Sequence, residues 1–299
     1  MNNSINSVAV LGSGTMGAGI AALCLEKGLK VLLLDITEEA VMKGSKIISD
    51  EKNKMLSNKD FISNLETGVF SQDFSKISDF DWICEAVIEN VKIKKKIFSK
   101  IEEHRKAGSI VSSNTSGIPL RDIVEGMPNT MLNDVCITHF FNPVKVMKLC
   151  ELIPSEHTSE KVKKTLSDFL TNILGKGVVN GKDTVNFIGN RIGCFFMLKG
   201  LHEGYDARKK NLSTEKIDSL IEKHKIEVFC MADLWQYCKF PKKMYIHPFV
   251  DFDYMDFSHI KKRDKFTICH SPYHKVETNQ KGSREIEQAI KKLKYVTAL

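Results

Sequence analysis

The sequence predicts an α/β protein with a doubly wound, mainly parallel sheet followed by a smaller helical region, and three observations predict it. Residues 7–35 read as strand, glycine-rich turn, helix and strand without interruption. Apolar strand-like runs then alternate with helical patterns to about residue 153, as βαβ units require. Beyond Lys223 the composition changes abruptly.

Val8 to Leu11 is a short apolar run that stops at Gly12. Ala18 to Leu25 continues as a helix, Gly28 closes it, and Lys30 to Leu34 forms a second strand ending at Asp35. Lys43 to Glu66 is polar with helical propensity and reads as an excursion from the sheet. Further strands are expected at Trp82–Val87, Ser109–Ser113, Val135–Phe140 and Lys148–Ile153, with a helix around Lys92–His104. A boundary falls near Gly181–Thr184, giving a first domain over 1–183. A long apolar helix over Phe187–Tyr205 and a second at Glu215–Lys223, capped by Ser213, make 184–223 the start of a helical domain. The remainder, 224–299, holds five of the nine histidines, five of the six tyrosines and only one of the 18 glycines. It has no sustained periodicity, and its length exceeds that of an ordinary loop.

Composition sets outer bounds. Hydrophobic content of 42% and charged content of 27% suit a globular protein. No apolar run reaches the ~18 residues of a membrane span. The N-terminus lacks a basic region and a small-residue cleavage site, so a cytoplasmic location is expected. Eight cysteines are scattered without a CxxC pair and read as buried free thiols of a reducing compartment. The net charge of +7 would suit a phosphate-bearing ligand, but the basic residues are spread over helices such as Lys92–Lys96, taken as solvated. Aromatic residues do not interleave with them, so nucleic acid is not expected as a partner.

Gly12-Ser-Gly14-Thr15-Met16-Gly17 is a G-x-G-x-x-G element between strand and helix. The first glycine permits the tight turn, the second lets the backbone approach a pyrophosphate, and the third lets helix and strand pack closely. The anion would rest on the helix N-terminus, where unpaired N–H groups and the helix dipole favour negative charge. Asp35 lies where, about 20 residues on, an acidic side chain takes the ribose hydroxyls. A carboxylate there repels a 2′-phosphate, which favours NAD over NADP; FAD is the main rival.

Three later segments carry the chemistry: Ser113-Asn114-Thr115-Ser116; His139-Phe-Phe-Asn142-Pro followed by Met147-Lys-Leu-Cys-Glu151; and Phe187-Ile-Gly-Asn190-Arg. The first two sit at strand ends, where open α/β sheets bind ligands. His139 is the acid–base candidate because imidazole titrates near neutrality. Glu151, on the next apolar run, can fix its tautomer and stabilise the imidazolium.

Taken in order, GSGTMGAGIA, EAVIEN, SSNTS, HFFNPV, MKLCE and FIGNR resemble the 3-hydroxyacyl-CoA dehydrogenase family over about residues 7–222. The resemblance implies a Rossmann-type NAD domain, His139 as base, Glu151 as its orienting partner, and Ser116 and Asn190 as substrate contacts. It places Glu89, Lys94, Asn114, Ser116 and Asn142 near the nicotinamide half of NAD. The implied reaction oxidises the 3-hydroxyl of a (3S)-3-hydroxyacyl-CoA to 3-oxoacyl-CoA, in fatty-acid β-oxidation or butyryl-CoA metabolism. Rival readings are an inactive NAD-binding remnant and a dehydrogenase of free hydroxy acids.

Two departures from the family stand out. Val185-Asn186 replaces the Pro-Gly that many relatives carry before Phe-Ile. After Glu222 the expected Gly/Pro-rich stretch, and the helices that cover the site and form a homodimer contact, are replaced by HKIEVFCMADLWQYCKFPKKMYIHPF. We read this tail as non-homologous sequence from a change of reading frame near codon 223; a divergent segment is the alternative. Cys230, Cys238, His247, Cys269, His270 and His274 fit no zinc spacing, and no metal is assigned.

Overall fold

Each residue of Ser7–Leu11 (β1) is buried, as expected of a strand covered on both faces. A computed structural model describes residues 5–50 and 55–192, together with three two- or three-residue strands in the tail. Two compact units are present, Met1–Ile188 and Gly189–Leu299.

In the first unit β1 leads into α1 (Thr15–Leu25), β2 (Lys30–Asp35), α2 (Glu38–Ser49), β3 (Leu65–Val69) and α3 (Phe70–Asp73). There follow β4 (Trp82–Glu85), α4 (Val91–His104), β5 (Ile110–Ser113), α5 (Leu120–Ile123), α6 (Asn129–Asp134), β6 (Val135–Phe140), β7 (Leu149–Pro154), α7 (Glu160–Asp168) and β8 (Gly177–Asn180). The eight strands form one sheet in the order β3-β2-β1-β4-β5-β6-β7-β8. Neighbours are parallel except β6 and β7, which run antiparallel. The Rossmann expectation is met, and strand order reverses at β1, where a crevice opens beyond the strands' carboxyl ends.

Alternation along β1 divides the core. Val8 and Val10 pack with α1 and α7 on one face, through residues such as Ile20, Ala21, Val162 and Leu166. Ala9 and Leu11 face Phe98 and Ile101 of α4 and Ile123 of α5 on the other. Side chains of a strand point alternately to opposite faces, so one apolar run serves both cores.

The 43–66 excursion is corrected at its end. Leu65–Val69 pairs with β2 from Val31↔Leu65 to Asp35↔Val69 and so forms the sheet edge. Its mostly half-exposed, Gly-containing LETGV gives little period-2 signal. The other edge, β8, reads GVVN and is similarly weak. Beyond β8, residues 185–188 form a turn and helix begins at Gly189, not Phe187. The rest of the Phe187–Tyr205 helix, the Ser213-capped helix and any frame-change boundary lie outside the described residues. In the tail, Met244–Tyr245, Ile268–His270 and His274–Lys275 form a small three-stranded sheet.

Candidate active site

The carboxyl ends of three adjacent strands are in register: Leu11 pairs with Glu85, and Glu85 with Ser113. Polar residues that follow these ends therefore converge by construction.

Around the glycine-rich turn the three glycines differ. Gly12 has φ +105, and a Cβ there would stand 2.5 Å from the Ala86 carbonyl oxygen. A Cβ on Gly17 would lie 1.8 Å from the Gly12 carbonyl oxygen, so α1 can leave β1 at this angle only with glycine. Gly14 is exposed and a Cβ would meet nothing within 4 Å. Its bareness serves no packing contact of the chain itself, which is what a turn cradling a pyrophosphate requires. Thr15 and Met16 open the first turn of α1, and Met16 packs on the core.

Asp35, at the end of β2, is bound to the glycine-rich turn. Its Oδ2 accepts from the Ser13 N–H and lies 2.6 Å from the Ser13 hydroxyl, while its Oδ1 accepts from the Ile36 N–H at 2.7 Å. α2 closes over Ser13, since a Cβ on Gly44 would come within 2.6 Å of it. Ser13, an unspecified position in the glycine motif, is thus what ties Asp35 to the turn.

Lys94 corrects the view of Lys92–Lys96 as a solvated face. It is 1% exposed, its Nζ lies 2.8 and 3.0 Å from the Glu85 carboxylate oxygens, and it reaches Glu89 Oε2 at 3.2 Å. Burial lowers its pKa, but the two carboxylates outweigh this and hold it above the usual lysine value. Glu85 also accepts from the Ser113 hydroxyl at 2.6 Å and the Val87 N–H at 2.7 Å. Glu89 accepts from the Thr115 hydroxyl at 2.5 Å and the Ser116 N–H at 3.0 Å, which ties the α4 side of the crevice to the 113–116 loop. Glu85 was missed from sequence, although an acidic residue ending the otherwise apolar WICE run is a visible signal. Asn114 Oδ1 accepts from the Phe140 N–H at 2.9 Å, linking the ends of β5 and β6.

His139 and Glu151 are opposed residues of the antiparallel β6–β7 pair. His139 Nδ1 lies 2.7 Å from Glu151 Oε2, and Glu151 Oε1 accepts from the Ile188 N–H at 2.9 Å. An ionised carboxylate can only accept, so Nδ1 carries the hydrogen, and in the neutral imidazole Nε2 is the nitrogen with the free lone pair. Phe141 and Phe187 flank the imidazole, with centroids at 4.4 and 5.8 Å. The turn that brings Phe187 there has left-handed φ at Asn186 (+61) and Phe187 (+43). Asn tolerates this region better than most residues, which suits Asn186 to the turn.

Ser116 and Asn142 are half-buried in loops after β5 and β6. Asn190 is buried in the helical turn that opens the second unit. Among the described residues there is no group of three or more side chains fit to hold a metal. No described helix is long and apolar enough to cross a membrane. Cys24, Cys84, Cys136 and Cys150 are buried free thiols, as the sequence suggested.

A reversing parallel sheet, a bare glycine turn at its switch point and an acidic residue ending β2 define an NAD-binding dehydrogenase domain. Residues 7–184 match the family model of the 3-hydroxyacyl-CoA dehydrogenase NAD binding domain, and the chain belongs to the 3-hydroxyacyl-CoA dehydrogenase family. It is 42% identical over 224 residues to a probable 3-hydroxyacyl-CoA dehydrogenase of Bacillus subtilis; the match takes in 68% of this chain but 28% of that protein. It is 34% identical to the mitochondrial hydroxyacyl-coenzyme A dehydrogenase of Homo sapiens, covering 70% of each. The crystal structure of (S)-3-hydroxybutyryl-CoA dehydrogenase PaaH1 from Ralstonia eutropha superimposes with a TM-score of 0.66 at 27% identity, over 78% of this chain and 88% of that one.

Proposed function

We propose that the chain oxidises the 3-hydroxyl of a (3S)-3-hydroxyacyl-CoA to the 3-oxoacyl-CoA, in fatty-acid β-oxidation or butyryl-CoA metabolism. The observation that carries this reading is the buried His139–Glu151 pair at the rim of an NAD-binding sheet. The turn at Gly12, Gly14 and Gly17 and the N-terminus of α1 with Thr15 and Met16 would hold the pyrophosphate, and Asp35 the ribose. Glu89, Lys94, Asn114 and Asn142 would border the nicotinamide half. Bound NAD supplies the hydride acceptor. His139 Nε2, left with its lone pair, takes the hydroxyl proton, and Glu151 stabilises the imidazolium so formed. Ser116 and Asn190 would orient the substrate's oxygen substituents. The four buried thiols support a reducing cytoplasmic location.

The reverse reaction provides the test: NADH oxidation by the full-length chain with acetoacetyl-CoA, set beside free acetoacetate. Turnover with the thioester alone supports the proposal. Preference for the free acid indicates a hydroxy-acid dehydrogenase, and NADH binding without turnover indicates a remnant that keeps only the cofactor domain.

A further inference from the structure

Lys176, between α7 and β8, takes no part in the chemistry above, yet it is a lysine only 4% exposed. Its Nζ donates to the carbonyl oxygens of Val144 and of Met147, the latter at 2.6 Å, and sits 6.0 Å from the Phe140 ring centroid. Both of these acceptors are backbone carbonyls, so no opposite charge at these bonds offsets the loss of hydration. Burying an ammonium in this way is costly. Burial pushes the Lys176 pKa down to about 8; Cys150 and Cys24 act against this, while Lys148 and Lys27 add to it. A side chain so expensive to place must hold something.

What it holds is the 141–148 loop between β6 and β7. The Gly177 N–H donates to the Lys148 carbonyl at 2.7 Å, so residues 176 and 177 grip the loop at three carbonyls. On its other side the loop is pressed onto the cofactor helix: a Cβ on Gly19 of α1 would lie 2.9 Å from Val144 Cγ2. The loop begins with Phe141, 4.4 Å from the His139 ring, and continues with Asn142.

We propose that Lys176 is a positioning residue for the dehydrogenase reaction. By clamping the 141–148 loop onto α1, it sets Phe141, and through it the His139 imidazole, relative to the glycine-rich turn. This rests on the dehydrogenase reading above. The acetoacetyl-CoA assay and a ligand-free measurement on the full chain therefore go together. Lys176→Met removes the donors at similar length, and Lys176→Arg keeps donors and charge.

In Lys176→Met, amide exchange over 141–148 should rise roughly tenfold and kcat should fall roughly tenfold, with the KM for NADH within about twofold of wild type. Lys176→Arg should recover most of kcat. A lower melting temperature with unchanged kcat and unchanged 141–148 exchange would overturn the proposal, because Lys176 would then serve stability alone. A wild-type chain that lacks turnover while the loop still follows Lys176 would defeat the dehydrogenase reading and leave the clamp standing. If Lys176→Met does not fold, wild-type exchange at about pH 7 and about pH 10, corrected for intrinsic rates, decides. Faster exchange confined to 141–148 at the higher pH supports the clamp, and a uniform change overturns it.

Discussion

Glu151 stands directly across the antiparallel β6–β7 ladder from His139, with its Oε2 2.7 Å from His139 Nδ1. The relationship depends on β7 reversing direction, because a parallel β7 would need a long crossover and could not place the two residues opposite each other through a short loop. The second carboxylate oxygen is taken by the Ile188 N–H, which leaves the side chain little freedom to rotate. We therefore expect Glu151→Gln to lower kcat by roughly 10²–10⁴-fold, the range typical of lost acid–base assistance, with little change in NADH affinity. Steady-state kinetics with acetoacetyl-CoA beside NADH fluorescence titration would check it.

The glycines should separate folding from binding. Gly17→Ala places a methyl against the Gly12 carbonyl and should lower the melting temperature markedly or prevent folding. Gly14→Ala meets no protein atom and should leave the melting temperature almost unchanged while weakening NADH binding. Thermal unfolding and NADH titration on both variants give the comparison.

Asp35→Asn should narrow the preference for NADH over NADPH by roughly tenfold or more, because a neutral amide no longer repels a 2′-phosphate. It should also loosen the turn, since Ser13 loses an anionic acceptor. Dissociation constants for both reduced cofactors measure the change.

Lys94→Met would leave Glu85 and Glu89 without their cation. Breaking a buried ion pair on one side costs about 3–5 kcal/mol, so a loss of that size is expected in denaturant unfolding. A loss near zero would mean that the pair is solvated.

Asp81 predicts an acid-sensitive contribution. Burial raises its pKa, but the Lys106 ammonium and hydrogen bonds from Asn6 and Ser7 outweigh this and hold the carboxyl below its ordinary 3.8. Its stabilisation is thus complete above that value and is lost as pH falls through the lowered one. Asp81→Asn should flatten the pH dependence of unfolding below about pH 4 and lower stability at neutral pH.

Legibility followed pattern strength. β1, β2 and β6 are near-continuous apolar runs and were read within a residue or so of their observed ends. β3 and β8 lie at the sheet edges, carry few apolar residues and were missed. His139 and Glu151 were legible as residues, but their pairing is a matter of register, which spacing alone cannot give. Lys94 misled because five residues of mixed lysine and isoleucine on a helix look solvated, and only the strand-end Glu85 draws one of them inward. Ser13 and Lys176 left no signal, since their partners lie 22 and about 30 residues away or are backbone carbonyls.

The most direct measurement of the central claim is kcat for acetoacetyl-CoA reduction by His139→Gln, taken with the NADH dissociation constant of the same variant. We predict turnover reduced by roughly 10²–10⁴-fold with NADH affinity close to wild type. Turnover near that of wild type would contradict the assignment of His139 as the group that moves the proton.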